Sequence, residues 1–159
     1  MWWPFGGKKS EPRMVLSTVT LTDDEHRECE AYLKSIIPQT EGGAWYMPAE
    51  AAEVLKRGMV AVCMMGRAER FATMRQFTEA CEAASKACCI DPQCTNFYKF
   101  GRILEAAGKE ADAKTAFAEF LRRYVMEQYD ASKTNPDRVA KIHSALEPMV
   151  DYAKSKLGV

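Results

Sequence analysis

The sequence predicts an all-α fold of six or seven helices, set as stacked antiparallel hairpins behind an extended amino-terminal arm. Three observations lead there. Apolar residues beyond Thr22 recur at helical spacing. The segments they define run about 14 to 22 residues between short turns that carry proline or glycine, the rhythm of helical hairpins. Beyond the arm, no stretch alternates as a strand does. With 159 residues, 47% hydrophobic and 28% charged, the chain can fill one core, and wholesale disorder is excluded.

Residues 1–21 form the arm. MVLSTVT within it is rich in β-branched residues and reads as extended. Trp2, Trp3 and Phe5 are costly to leave in water and are expected to anchor on something. A neighbouring protein ranks first; the domain itself and the membrane–water interface, where tryptophan is favoured, are the alternatives.

Residues 22–159 are read as a single helical-repeat domain. Thr22 and Glu25 have the spacing of a capping box, and Asp23 and Asp24 put negative charge where the helix dipole favours it. That first helix should end at Ile37, before Pro38. Gln39 to Tyr46, with Gly42 and Gly43, is a loop. Pro48 suits the first turn of a second helix, for which Gly66 is a candidate break. Glu69–Ile90, Cys94–Ala107 and Glu110–Gln128 follow, separated by Asp91-Pro92 and by Gly108. A carboxy-terminal helix spans 136–157, and Pro148 should kink or divide it.

The stretch from Phe97 to Leu121 is the most specific. Phe97, Phe100 and Leu104 make an apolar face, with Gly101 at a close approach. Gly108 makes the turn; Ala113 is a small contact on the next helix, and Phe117, Phe120 and Leu121 supply bulk. Small residues at the crossing with rings beside it let two antiparallel helices pack closely. This pattern resembles a tetratricopeptide repeat, a helix–turn–helix of about 34 residues. The clear unit covers 93–126, with Leu104 replacing an aromatic and Phe120 standing where alanine is usual. A second unit lies at 59–92, where Ala80, Ala84, Ala87 and the closing Pro92 match, while Ala68 and Arg75 replace the two glycines.

The resemblance implies binding rather than catalysis, through a concave face whose groove positions here are Tyr98, Lys99 and Arg102. The asparagine of the chaperone-binding clamp is missing at Lys99, and there is no third unit, so that clamp is not expected. Arg122 and Arg123 are read as solvated charges ending a helix, with a partner's acidic patch as the alternative.

Other chemistries find little support. Twenty-two basic and 22 acidic side chains cancel to zero net charge, and the pI is about 6.7, without the positive footprint of a nucleic-acid binder. The longest apolar run, Met59 to Met65, falls short of the roughly 20 residues of a membrane span. MWWPFGGKKSEPR has the wrong order for a secretory signal and is a poor mitochondrial presequence. Six cysteines (Cys29, Cys63, Cys81, Cys88, Cys89, Cys94) lack C-x-x-C spacing, and His26 and His143 are distant in sequence, so no metal site or cofactor is expected. They read as small core hydrophobes. Cys81 and Cys88 are about 10 Å apart along one helix, too far to bridge. Cys89 and Cys94 flank a turn and suit a local disulfide in an oxidising compartment; a thiol-redox role for Cys88, Cys89 or Cys94 is a remote reading. Phosphate-loop, dinucleotide, zinc-protease and hydrolase motifs are all missing, so no catalytic residue is assigned.

The expected function is a non-catalytic scaffold, an accessory subunit held by other protein subunits, with no nucleic acid and no small-molecule substrate. The resemblance implies a mitochondrial inner-membrane respiratory or ATP synthase complex as its setting. The alternative is a soluble cytoplasmic adaptor, co-chaperone or assembly factor that binds peptides in its groove.

Overall fold

A computed structural model of the chain describes residues 19–36, 49–132 and 135–159. Trp2, Trp3 and Phe5, the Gly42-Gly43 loop and Pro48 lie outside the described residues. Six helices are present among them and no strand: α1 Asp23–Ile36, α2 Ala49–Thr73, α3 Phe77–Ile90, α4 Cys94–Ala106, α5 Glu110–Ser132 and α6 Pro136–Leu157. The chain divides into two compact units between Pro92 and Gln93, α1 to α3 in the first and α4 to α6 in the second.

In the first unit α2 packs against both α1 and α3. The predicted capping box opens α1. The Thr22 N–H donates to Glu25 Oε2 at 2.9 Å, and the Glu25 N–H donates to Thr22 Oγ1 at 3.3 Å. Two expectations about the next segment fail together. The α2 helix runs unbroken through Gly66, because buried Met64, Met65 and Ala68 on either side hold its inner face and outweigh glycine's cost of about 1 kcal/mol. The stretch predicted as one helix from Glu69 to Ile90 instead divides at Met74–Gln76. No glycine or proline marks that turn. Arg75 takes a left-handed conformation, φ 59°, in its place. The α3 helix ends as predicted before Pro92, with Asp91 extended as a residue preceding proline must be.

In the second unit α5 packs against both α4 and α6. Its α4–α5 turn has Gly108 at φ 75°. The two turns close with the same hydrogen bonds. Met74, Arg75 and Gln76 N–H groups donate to the carbonyls of Arg70, Ala72 and Phe71 at 3.1, 3.0 and 2.9 Å. Ala107, Gly108 and Lys109 donate to Ile103, Glu105 and Leu104 at 3.0, 2.9 and 2.9 Å. Each donor and acceptor of the second set lies 33 positions after its counterpart in the first, the same offset that separates Ala68 from Gly101 and Arg75 from Gly108. This 6→1 closure satisfies carbonyls that a helix end otherwise leaves unpaired.

Packing inside the hairpins follows the same register with different volumes. Gly101 lies against Phe117: a Cβ there would sit 2.6 Å from the ring edge. Phe117, Phe120, Phe100 and Ala113 are buried around that approach. The positions 33 earlier than Gly101 and Phe117 hold Ala68 and Ala84, both at 0% exposure. One hairpin thus combines no side chain with a ring, and the other two methyl groups.

The α6 helix is continuous through Pro148, where a kink or division is predicted. Pro148 removes one backbone donor, but it and Ser144, whose carbonyl loses that bond, are both exposed, which leaves the vacated acceptor open to solvent at little cost. Gly158, at φ 72°, ends the helix, with the Val159 N–H donating to the Lys154 carbonyl at 3.1 Å.

Gly101→Ala should therefore cost about 1–3 kcal/mol in urea unfolding, and Phe117→Leu in the same chain should recover part of it. Arg75→Gly should stabilise by about 0.5–1 kcal/mol, since it relieves left-handed strain and gives back some of the gain as unfolded-chain entropy.

Candidate interaction surface

The predicted groove residues on α4 meet α6 of their own unit. The Tyr98 ring lies 5.9 Å from Phe117, 5.4 Å from Phe120 and 6.1 Å from Tyr152, centroid to centroid. Arg102 stands over the Tyr152 ring at 4.4 Å and donates to the Tyr98 hydroxyl at 3.3 Å. One turn on, Glu105 accepts the Tyr152 hydroxyl at 2.7 Å and the Lys156 ammonium at 2.9 Å. Tyr152 and Lys156 thus place a ring and a cation against this face of α4. Lys99 is exposed.

The Arg122-Arg123 pair does not end a helix, because α5 continues to Ser132. Both arginines turn back onto Glu119, one helical turn earlier. Arg122 donates to its two oxygens at 2.9 and 2.5 Å, and Arg123 to one at 2.6 Å. Burial alone would push the Glu119 carboxyl up, but the two guanidiniums hold it below its ordinary value. The pair then separates in role. Arg123 is 14% exposed and stacks over the Phe97 ring at 4.7 Å, so it belongs to the α4–α5 packing. Arg122 stays on the surface beside Val125 and Met126, 66% and 52% exposed, and donates to the Met126 sulfur at 3.2 Å. These three side chains make an apolar patch with a cation at its edge.

Of the repeat-packing residues, Phe97, Phe100, Gly101, Ala113, Phe117, Ala80 and Ala84 are buried, Pro92 is half-buried, and Gly108 is an exposed turn residue.

Ion pairs that the sequence reading missed dock α1. Glu25, only 7% exposed, takes the Lys86 ammonium on both oxygens at 2.9 and 2.8 Å, so the capping residue of α1 also ties it to α3. Glu28 takes Arg67 at 2.7 Å, and Arg70 as well, both from α2. The periodic placement of Glu25 and Glu28 on α1 was visible; their partners, distant in sequence, were not.

His26 is exposed beside Glu30 at 3.2 Å; His143 offers Nδ1 to the buried Tyr124 hydroxyl and stacks on that ring. All six cysteines are free and buried, including Cys89 and Cys94, the pair expected to suit a local disulfide in an oxidising compartment. Burial pushes the Cys89 thiol up to about 12, and burial together with Glu127 pushes Cys94 up further, so both stay protonated at neutral pH. Glu127 instead accepts the Cys94 N–H at 2.8 Å and caps α4, which lacks a side-chain cap from Gln93. Among the described residues there is no metal-ligating cluster, and no helix is long and apolar enough to cross a membrane. No family model, curated protein or solved structure matches the chain.

The lowered Glu119 carboxyl sets a sign for pH dependence. Its contribution to stability is complete above the unfolded value of about 4.3 and is lost as pH falls through the lower folded value. Glu119→Gln should cost roughly 1 kcal/mol at pH 7 in urea unfolding. The gap between variant and wild type should close on acidification.

Proposed function

We propose that the chain is a non-catalytic protein-binding scaffold of tetratricopeptide type, serving as an accessory subunit of a larger multiprotein assembly. The observation that carries this reading is the pair of hairpin turns, Arg75 and Gly108, with the same hydrogen bonds 33 positions apart. Repetition of one hairpin is how helical scaffolds build docking surfaces without a catalytic cleft.

Two further features favour a subunit over a groove-binding adaptor. On the α4 face, Tyr98 and Arg102 already contact Tyr152, and Glu105 holds Lys156, so a peptide there would compete with the chain's own side chains. Outward-facing Val125 and Met126, and Val54 and Val62 on α2, are apolar side chains that gain by burial against a neighbour. Trp2, Trp3 and Phe5 would add an anchor from the arm. An inner-membrane respiratory or ATP synthase complex of mitochondria is the setting the repeat resemblance suggests.

Extracted from its source in mild detergent, the protein should migrate at several times its own 17.9 kDa. A particle of one chain mass overturns the subunit reading. Removing residues 1–12 should release the protein from its partners while leaving its helical circular dichroism unchanged. Undiminished association of the shortened chain would remove the arm from the interface.

A further inference from the structure

Two of the buried thiols meet across a helix pair. Cys29 on α1 and Cys63 on α2 are hydrogen-bonded through their side chains and are 2% and 7% exposed. The register that joins them is held independently by charge. Glu28, the residue before Cys29, takes Arg67 at 2.7 Å, and Arg67 lies one helical turn beyond Cys63. Arg70 grips the same carboxylate, and Lys86 holds Glu25 one turn back along α1. Two packed helices, not a pliable loop, therefore present the sulfurs to each other.

We propose that Cys29 and Cys63 form a redox-convertible staple, in which two-electron oxidation by a peroxide replaces the docking of α1 on α2 with a covalent link. One thiol, deprotonated as it reacts, attacks a peroxide oxygen; the O–O bond breaks, giving a sulfenic acid and, from hydrogen peroxide, one water. The second thiol attacks the sulfenic sulfur, the S–S bond forms, the S–O bond breaks and a second water leaves. Peroxide receives both electrons, and both thiol protons end in water.

The surroundings set the pace. Burial, then the hydrogen bond to Cys63 and the charge of Glu25, push the Cys29 thiol up, while Arg67 pulls only weakly the other way. The docked Cys29 thiol is protonated at neutral pH and reacts slowly, so the link forms when α1 lifts transiently and is retained when it re-docks. A chain meeting sustained oxidant would accumulate the stapled form; a brief pulse would leave it untouched.

The test treats the full chain with hydrogen peroxide at neutral pH, alkylates it after denaturation and maps the peptides. Expected are a loss of two hydrogens in mass, a linked peptide pair containing Cys29 and Cys63, and four cysteines still alkylated. The thermal midpoint of the linked form should rise by several degrees and return on reduction. Cys29→Ser and Cys63→Ser should each abolish the link, with folding checked by circular dichroism; the wild-type peptide map stands without them. Six alkylated cysteines after prolonged exposure, a link between other cysteines, or sulfinic acid at Cys29 without a link would each overturn the proposal.

Discussion

Close approach of two helices through a left-handed turn is the constraint on which each hairpin depends. A helix can reverse and lie against itself only if one residue leaves the right-handed region and the next N–H groups reach back to the last carbonyls. Arg75 and Gly108 both do this. Once the chain has turned, the distance between helices is decided by what faces the crossing. Gly101 admits the Phe117 ring, and a single added carbon would collide with it.

Charge then fixes what packing leaves adjustable. The α1 helix has only two buried side chains, Glu25 and Cys29, too few to hold it by apolar area. Its position comes from carboxylates that grip cations on α2 and α3. Each pair is partly shielded from water, so removing one partner would strand the other, which gives these contacts more influence over register than over net stability. The α6 helix is held differently. Val150 and Ala153 bury against the unit, while Tyr152 adds its ring to the Tyr98–Phe117 cluster and its hydroxyl to Glu105. Aromatic area and a satisfied polar tip act together there.

Helical spacing, the Thr22–Glu25 cap, and the ends before Pro92 and at Gly158 were legible in the order of residues, because each depends on neighbours within a turn or two. The α2–α3 turn was legible only through the repeat register, which put Arg75 at the position of Gly108, and not through local residue type. Arg75 carries no signal for a left-handed position, and Gly66, which does, sits in a helix whose buried face holds it straight. Of the candidate surface, the residue types were legible but not their engagements. Arg122 and Arg123 looked alike in sequence, yet one packs on Phe97 and the other remains outside beside Val125 and Met126.

The sequence by itself determined that this protein is helical, where most helices begin and end, and that small residues and rings alternate as paired helices require. Periodicity and capping are local, so no distant contact was needed to read them. Only tertiary structure decided that Tyr98 and Arg102 engage Tyr152 of α6, that Glu25 and Glu28 find cations on other helices, and that Cys29 meets Cys63. Those pairings join residues tens of positions apart, and their identity depends on how helices rotate and slide as they bury their apolar faces, which no local pattern encodes.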